Sequence, residues 1–449
     1  MKLPDTPPRQ SNLFRQLSPE RFEKLFIESN GSTHRTGPYL HWDDLRRRSP
    51  PPGLSHEEWW LATKLSRANR SLLPLADAAG RPFTFTVPDA ALALLHRIDQ
   101  KLGGNLALSD PITNPATRDR YLVSSLAEEA IRSSQLEGAS TTRQVAREML
   151  RTGRTPHNRG EKMIANNFRV MRSIGETRQD PLTPARICEL QRMVTEGTLD
   201  EPAAAGRLQL PSDVRVHVWD GDQVLHVPPP AEQLPRRMKA LCAFANPTAG
   251  QPWIHPVLRA ITLHFWLAYD HPFEDGNGRT ARALFYWSML AQGYWVAEFL
   301  SLSTVLKKAP AQYARSFLLT ETDDNDLTYF MLAQLEVISR SIDAFETYLQ
   351  RKLDELRSVE LLVSANSGLN HRQRALLGTA LRDPDSQFTI AGHQATHKVV
   401  YQTARADLLD LEKRRLLSRQ LGRGKAFSFR VPPDLSARLK GAQRGPTNY

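Results

Sequence analysis

Along this chain, apolar residues recur at helical spacing far more often than they alternate. Leu122, Leu126 and Ala130 fall every four residues, as do Val123, Ala127 and Ile131, which predicts an amphipathic helix that stops at Gly138. Thr183 followed by Pro184 predicts a helix start, with Ile187, Leu190 and Met193 inside it. Trp253 to Asp270 reads as a helix, and so does the segment opening at Arg279. Leu335, Ile338, Ile342 and Phe345 mark a long helix towards about Leu362. The acidic run Asp323 to Asp326 before it resembles a calcium loop only superficially and reads as an N-cap. Alternation predicts one short strand at Phe83–Val87. It also predicts a hairpin, in which Val214–Val218 and Val224–Val227 flank Asp220-Gly221-Asp222 and Pro228–Pro230 ends the pattern.

The two ends of the chain read differently. Residues 1–37 are rich in Pro, Arg, Ser and Gly and are expected to begin loosely ordered. Ser55 and Glu58 form a capping-box pattern ahead of a helix through Trp59, Trp60 and Leu61, and Asp89 is expected to cap a helix ending at Gly103-Gly104. Tyr39, Trp42, Trp59 and Trp60 are expected to build a satellite core that packs this module onto the main domain. Beyond a linker at Ser364–Gly368, Asn370 caps a helix through Leu377, a second helix starts near Thr389, and a third spans Val400–Leu411. Leu416–Ser418 and Phe427–Arg430 then flank the glycine-containing tip Gly422-Arg423-Gly424-Lys425.

At 449 residues the chain is expected to hold two or three domains, and no apolar run is long enough to span a membrane. The first ten residues lack the apolar core of a secretory signal. The only cysteines, Cys188 and Cys242, sit in predicted helices as small hydrophobes, so a reducing, cytoplasmic setting is expected. The net charge of +11 is unevenly spread: residues 370–449 hold 15 Lys or Arg against 6 Asp or Glu. That asymmetry makes DNA a candidate partner of the C-terminal part, with Arg405, Arg423 and Lys425 as its candidate contacts, beside the plainer reading of a solvated basic surface.

The densest chemistry lies in His271-Pro-Phe-Glu-Asp-Gly-Asn-Gly-Arg-Thr-Ala-Arg282. Gly276, Asn277 and Gly278 make a turn whose backbone N–H groups can face an anion at a helix N-terminus. Arg279 and Arg282, three apart, share a helix face and can grip phosphate oxygens. Asp275 is a hard carboxylate suited to Mg²⁺ that also touches phosphates, and His271 can accept a proton near neutral pH. A P-loop and an EF-hand both fail on spacing.

This stretch resembles the active-site motif of the Fic family, His-x-Phe-x-(Asp/Glu)-Gly-Asn-Gly-Arg-x-x-Arg, at every defined position. Ser133-Ser-Gln-Leu-Glu137-Gly138 resembles the family's inhibitory-helix motif, (Ser/Thr)-x-x-x-Glu-(Gly/Asn). The resemblance implies a mainly α fold: a Fic-type helical core with a short β-hairpin flap, plus a C-terminal winged helix-turn-helix. The expected domains are an N-terminal module at 1–104, a Fic core at 105–362 whose inhibitory helix spans about 119–138, a winged helix at 369–432 and a basic tail at 433–449.

It further implies transfer of AMP from ATP to a Ser, Thr or Tyr hydroxyl of a protein target, which could be the chain itself. His271 would be general base, Asp275 the Mg²⁺ ligand, and residues 276–279 with Arg282 the phosphate holders. Glu137 would pair with Arg282 and keep the site silent, with Ser133 and Gly138 part of that device. Alternatives are removal of AMP by the same site and regulation of transcription through the winged helix. A phosphotransferase is disfavoured, because Doc-type members carry Lys where Gly278 stands. A homodimer is a candidate assembly. In family members an aromatic–Arg pair often follows the glycine matching Gly206; Leu208-Gln209 replaces it here, which puts target docking near that point in doubt. His264 is expected to be a hydrogen-bonded structural histidine and Phe273 an anchor of the turn.

Overall fold

The computed structural model describes residues 2–29, 37–103, 115–365, 368–382, 386–421 and 427–441. The chain forms two compact units, Met1–Phe345 and Glu346–Tyr449.

The first unit opens with α1 (Gln10–Gln16) and α2 (Pro19–Ser29), where loose order was expected. The apolar residues among the charges decide it: Leu13 and Leu25 are buried, and Leu13 joins Leu45, Trp60 and Leu61 in a satellite core. Helix α3 (His56–Ser66) carries the full capping box of Ser55 and Glu58. Tyr39 lies outside that cluster, against Tyr329, and donates its hydroxyl to Asp326 at 2.6 Å. The buried Lys64–Asp323 pair (2.6 Å) and the Arg67 guanidinium 3.5 Å from the Tyr39 ring centre join the N-terminal segment to the rest of the unit.

Strand β1 (Ser71–Ala76) pairs antiparallel with β2 (Pro82–Phe85). Pro74 hid β1 from pattern reading, since proline is admitted only at such edges and irregularities. Helix α4 (Asp89–Ile98) has Pro88 rather than Asp89 at its N-cap and ends in a π turn at Asp99–Gly103. Helices α5 (Pro115–Leu136), α6 (Arg143–Thr152), α7 (Arg159–Glu176) and α8 (Pro184–Thr195) follow, and Thr183 caps α8 as expected.

The hairpin is shorter than the alternation suggested: β3 (Val218–Asp220) and β4 (Gln223–His226) turn at Gly221-Asp222. Val214 to His217 are not strand, because Arg215 is drawn instead onto the backbone carbonyls of Asp270 and His271. Helix α9 (Leu234–Ala245) leads to α10 (Pro256–Asp270), which starts three residues later than Trp253, with His255 as its N-cap. Helix α10 is apolar nearly all round and is accordingly buried on almost every side, with α11 (Asn277–Ala291) packed against it. Helices α12 (Leu302–Leu306) and α13 (Pro310–Thr322) and the first half of α14 (Thr328–Ser364) close the unit; the rest of α14 belongs to the second. The acidic run does act as a cap: Asp326 accepts a hydrogen bond from the Thr328 N–H at 3.1 Å.

In the second unit, α15 (His371–Arg382) is capped by Asn370, which accepts from the Gln373 N–H at 3.0 Å. Then come β5 (Gln387–Thr389), α16 (Ile390–His397), α17 (Tyr401–Lys413), β6 (Ser418–Leu421) and β7 (Phe427–Arg430). The strands form one antiparallel sheet in the order β5-β7-β6. Buried Asp407 ties α17 to α15 and α16 through Asn370 (2.7 Å), Arg372 (2.7 Å) and His393 (3.1 Å). The expected boundary at 432 moves outward, because α18 (Leu435–Gly441) buries Leu435 and Leu439 in this core where a tail was expected. Arg405 is exposed on α17, whereas Arg423 and Lys425 lie outside the described residues.

Candidate active site

Helix α10 ends at His271, which adopts the left-handed conformation (φ 44°) that non-glycine residues rarely take. The chain then crosses the Pro272–Asp275 turn and re-enters a helix at Gly276 (φ 83°). Glycine is required at 276 twice over: by that φ, and because a Cβ would come within 2.8 Å of Thr195 Cγ2. Phe273, fully buried, pins the turn as expected.

His271 Nδ1 faces the Ala268 carbonyl at 3.4 Å, an acceptor, so Nδ1 carries the proton and Nε2 keeps its lone pair. Loss of hydration lowers the His271 pKa to about 4, with His226 and Arg215 adding to the effect and Ala268 and Glu137 opposing it. At neutral pH the ring is therefore a free base. Asp270, the acidic neighbour, turns the other way and is buried against Arg237 (2.6 Å) and the Trp266 indole (3.1 Å). His264 is buried and bonded to the Tyr313 hydroxyl at 2.8 Å, the structural role expected of it.

The two motif arginines do different work. Arg282, almost wholly buried, donates Nε to Ser133 Oγ (2.8 Å) and Nη2 to both the Ser133 carbonyl (3.0 Å) and Glu137 Oε1 (2.8 Å). Its Nη1 is buried and has no hydrogen-bond partner among the described residues. A Cβ added at Gly278 would come within 3.2 Å of that nitrogen and would collide with Glu137 Oε1. The Glu137 carboxylate thus packs on the first turn of α11, where helix geometry favours an anion. Gly138 (φ 92°) ends the segment that delivers it.

Arg279 departs from the phosphate-gripping role read in the sequence. Its guanidinium is fully buried, with Nη1 on the Val194 carbonyl (3.1 Å) and Nη2 on Asp275 (3.2 Å). Asn277 departs likewise: its side-chain amide bonds both the N–H (2.9 Å) and the carbonyl (2.8 Å) of Phe273 and locks the turn. What residues 276–278 offer a ligand is their backbone. Asp275 and Glu274 are both partly exposed, and Asp275 is paired with Arg279. Among the described residues no group of three or more His, Cys, Asp or Glu is arranged to hold a metal ion.

Sequence reasoning missed the residues that brace the turn from outside. Gln191, fully buried on α8, donates to the Asp275 carbonyl (2.9 Å) and accepts from the Gly206 N–H (2.5 Å). Gln209 N–H donates to the Pro272 carbonyl (2.9 Å), and Arg215 donates to the carbonyls of Asp270 (2.5 Å) and His271 (2.8 Å). Their partners are main-chain atoms, which no side-chain pattern announces. Glu129, buried on α5, accepts from the Ser303 N–H (3.0 Å) and hydroxyl (2.6 Å) and the Ser301 hydroxyl (3.0 Å), fixing α5 to α12.

Residues 181–289 match the sequence profile of the Fic/DOC family. A protein adenylyltransferase Fic from Nematostella vectensis is 28% identical over 168 residues, 37% of this chain and 35% of that protein. One from Drosophila grimshawi is 34% identical over 113 residues, 25% of this chain and 21% of that protein. The chain thus spans little more than a third of the length of the first of these relatives, and less of the second. A Fic family protein from Desulfovibrio desulfuricans shares the fold, with a TM-score of 0.52 at 18% identity, over 78% of this chain and 97% of that one. The segment 181–289 is thus one that matches the Fic/DOC family, set in a fold similar to that of a Fic family protein.

Proposed function

We propose that this chain is a protein adenylyltransferase that moves AMP from ATP to a hydroxyl of a protein target, and that Glu137 holds it in check. The observation that carries the proposal is the 2.8 Å pair between Arg282 of α11 and Glu137, whose carboxylate packs on Gly278 in the turn that follows a neutral, left-handed His271. The site supplies its own anion where a nucleotide phosphate would lie. The similar proteins named as adenylyltransferases support the same chemistry.

In this reading the phosphates meet the N–H groups at 276–278, and Arg282, through Nη1 and the donor vacated by Glu137, takes the γ-phosphate. His271 Nε2 removes the proton of the target hydroxyl, whose oxygen attacks the α-phosphate in line while pyrophosphate leaves. Asp275, a partly exposed carboxylate, suits Mg²⁺, which binds through one or two carboxylates plus phosphates and would offset their charge. Asn277 and Arg279 serve beneath the turn and keep its backbone and Asp275 in place.

A target segment has room beside the flap. A cleft of about 730 Å³ is lined by residues that include Val214, His217, Trp219 and Glu274, and among the described residues β3 pairs only with β4. Its outer edge can add an extended strand. Of Leu208-Gln209, which stands in place of an aromatic–Arg pair, Gln209 lines this cleft, and its side-chain amide donates to the Val214 carbonyl at 3.0 Å.

The test is incubation with ATP labelled separately at the α- and γ-phosphates, using wild type and Glu137→Gly. Protein labelled from the α-position alone supports AMP transfer; labelling from γ would show phosphotransfer and refute it.

For the second unit we propose a winged helix that binds DNA through α17. The order helix, strand, two helices and hairpin supports this, and so does the exposed face Val400, Tyr401, Gln402 and Arg405. A salt-dependent shift of duplex DNA by the full chain, reduced in Arg405→Ala, would bear it out. No shift at low salt would refute it.

A further inference from the structure

A helix leaves its last four carbonyls without internal partners. At the end of α10 each carbonyl around His271 finds one, and most of these partners come from the loop and flap at 206–226. The Tyr269 carbonyl is 2.7 Å from His226 Nε2. Arg215 Nη2 donates to the Asp270 carbonyl at 2.5 Å and its Nη1 to the His271 carbonyl at 2.8 Å. The Gln209 N–H reaches the Pro272 carbonyl at 2.9 Å. Arg215 is held from behind: Nη1 also bonds Gln209 Oε1, and Nε donates to the Pro229 carbonyl at 2.9 Å.

Many helices end on a basic side chain, and most such contacts serve stability alone. This one differs in what it holds. The Asp270 carbonyl belongs to the peptide plane before His271 and the His271 carbonyl to the plane after it. One guanidinium therefore fixes both planes flanking the base, at a residue whose φ of 44° has little intrinsic preference to persist.

Resting on the adenylyltransferase reading of the site, we propose that Arg215 is a positioning residue, which holds the left-handed turn at His271, and so the reach of Nε2, by bonding the two carbonyls that flank it. Gln209 completes the clasp. The same loop lines the cleft beside β3, so the surface that would meet a target also braces the base that would act on it.

The test uses the full chain with Glu137→Gly as background, comparing Arg215→Met, of similar length and uncharged, with Arg215→Lys. Two readouts are needed: labelling kinetics, and the titration of the His271 ring followed by NMR in protein with ¹⁵N-labelled histidine. A loss of position of about 1 Å costs on the order of a hundredfold in rate. Arg215→Met is expected to lower kcat by about 30- to 100-fold, with the KM for ATP within about twofold, and Arg215→Lys to recover part of the loss. The ring faces His226 from the flap, Glu137 from the end of α5, the Ala268 carbonyl from its own helix and Arg215. With Arg215 gone, its titration should climb from about 4 towards the ordinary 6.5 and return with Lys. An unchanged titration in a folded Arg215→Met protein would overturn the proposal. If no variant labels any protein, the enzymatic reading fails, while the ring titration still decides whether Arg215 positions His271.

Discussion

Two helix ends meet at this site, and they are built in opposite ways. Helix α10 ends on His271 and α5 on Glu137-Gly138, each followed or marked by a left-handed residue (φ 44° and 92°). Around His271 the carbonyls from Tyr269 to Phe273 are bonded by four side chains or backbone groups from elsewhere in the unit. Glu137 is held to its partner by one side-chain ion pair and keeps about a third of its side chain (31%) exposed. The body of α5, by contrast, is fixed through Glu129 and through Ser134, whose hydroxyl donates to the Met163 carbonyl at 3.2 Å. On the reading proposed above, the difference says which part would move: relief of inhibition would need only the last turn of α5 to give way, while the turn at His271 stays set.

The largest expected effect lies at the braced end. His271→Ala in the Glu137→Gly background should lower labelling by about a thousandfold, within the range of general-base removal. Retention of more than a tenth of the rate would move the base elsewhere.

Next comes the body of α5. Glu129→Ala leaves two buried donors of Ser303, its N–H and its hydroxyl, unmatched and should cost roughly 3 kcal/mol of stability, read by denaturant unfolding. If only the last turn moves in release, this variant should label less than Glu137→Gly does. Equal labelling would show that the whole helix undocks.

The smallest effect sharpens the account of the flap. His226 sits between two acceptors, Glu321 at Nδ1 and the Tyr269 carbonyl at Nε2, both at 2.7 Å, so it is bonded fully only as the imidazolium. Burial works against that charge, but Glu321 and the carbonyl prevail, and its pKa is raised above 6.5. A raised folded pKa contributes stability that is fully present below the unfolded value of about 6.5 and is lost as pH rises through the folded one. His226→Gln should therefore lower the melting temperature most near pH 6 and least near pH 9. A gap that widens with pH would contradict the doubly bonded imidazolium.

Much of this was legible in the sequence, for reasons that also explain the rest. The candidate catalytic turn is contiguous, and its glycines, histidine and arginines stand at the fixed spacing of a recognisable motif. The helix that carries Glu137 was legible because it has clear periodicity and a glycine stop. The inward contacts of Arg279 and Asn277 were not legible, because residue type alone cannot say whether a donor faces a ligand or the chain's own backbone; both are buried here. Arg215, Gln209, Gln191 and His226 were invisible because they act on main-chain carbonyls, which every residue shares. At the N-terminus, Pro and Arg masked α1 and α2, whose few apolar residues are enough once a partner such as Trp60 is in reach.

The central claim is that the Glu137–Arg282 pair is the brake. It is tested most directly by the ratio of labelling rates from α-labelled ATP in Glu137→Gly and wild type, both full length. A misplaced phosphate costs on the order of a hundredfold, so a ratio of about that size is predicted. A ratio near one, with His271 still required, would mean that this pair holds the fold together and does not restrain the reaction.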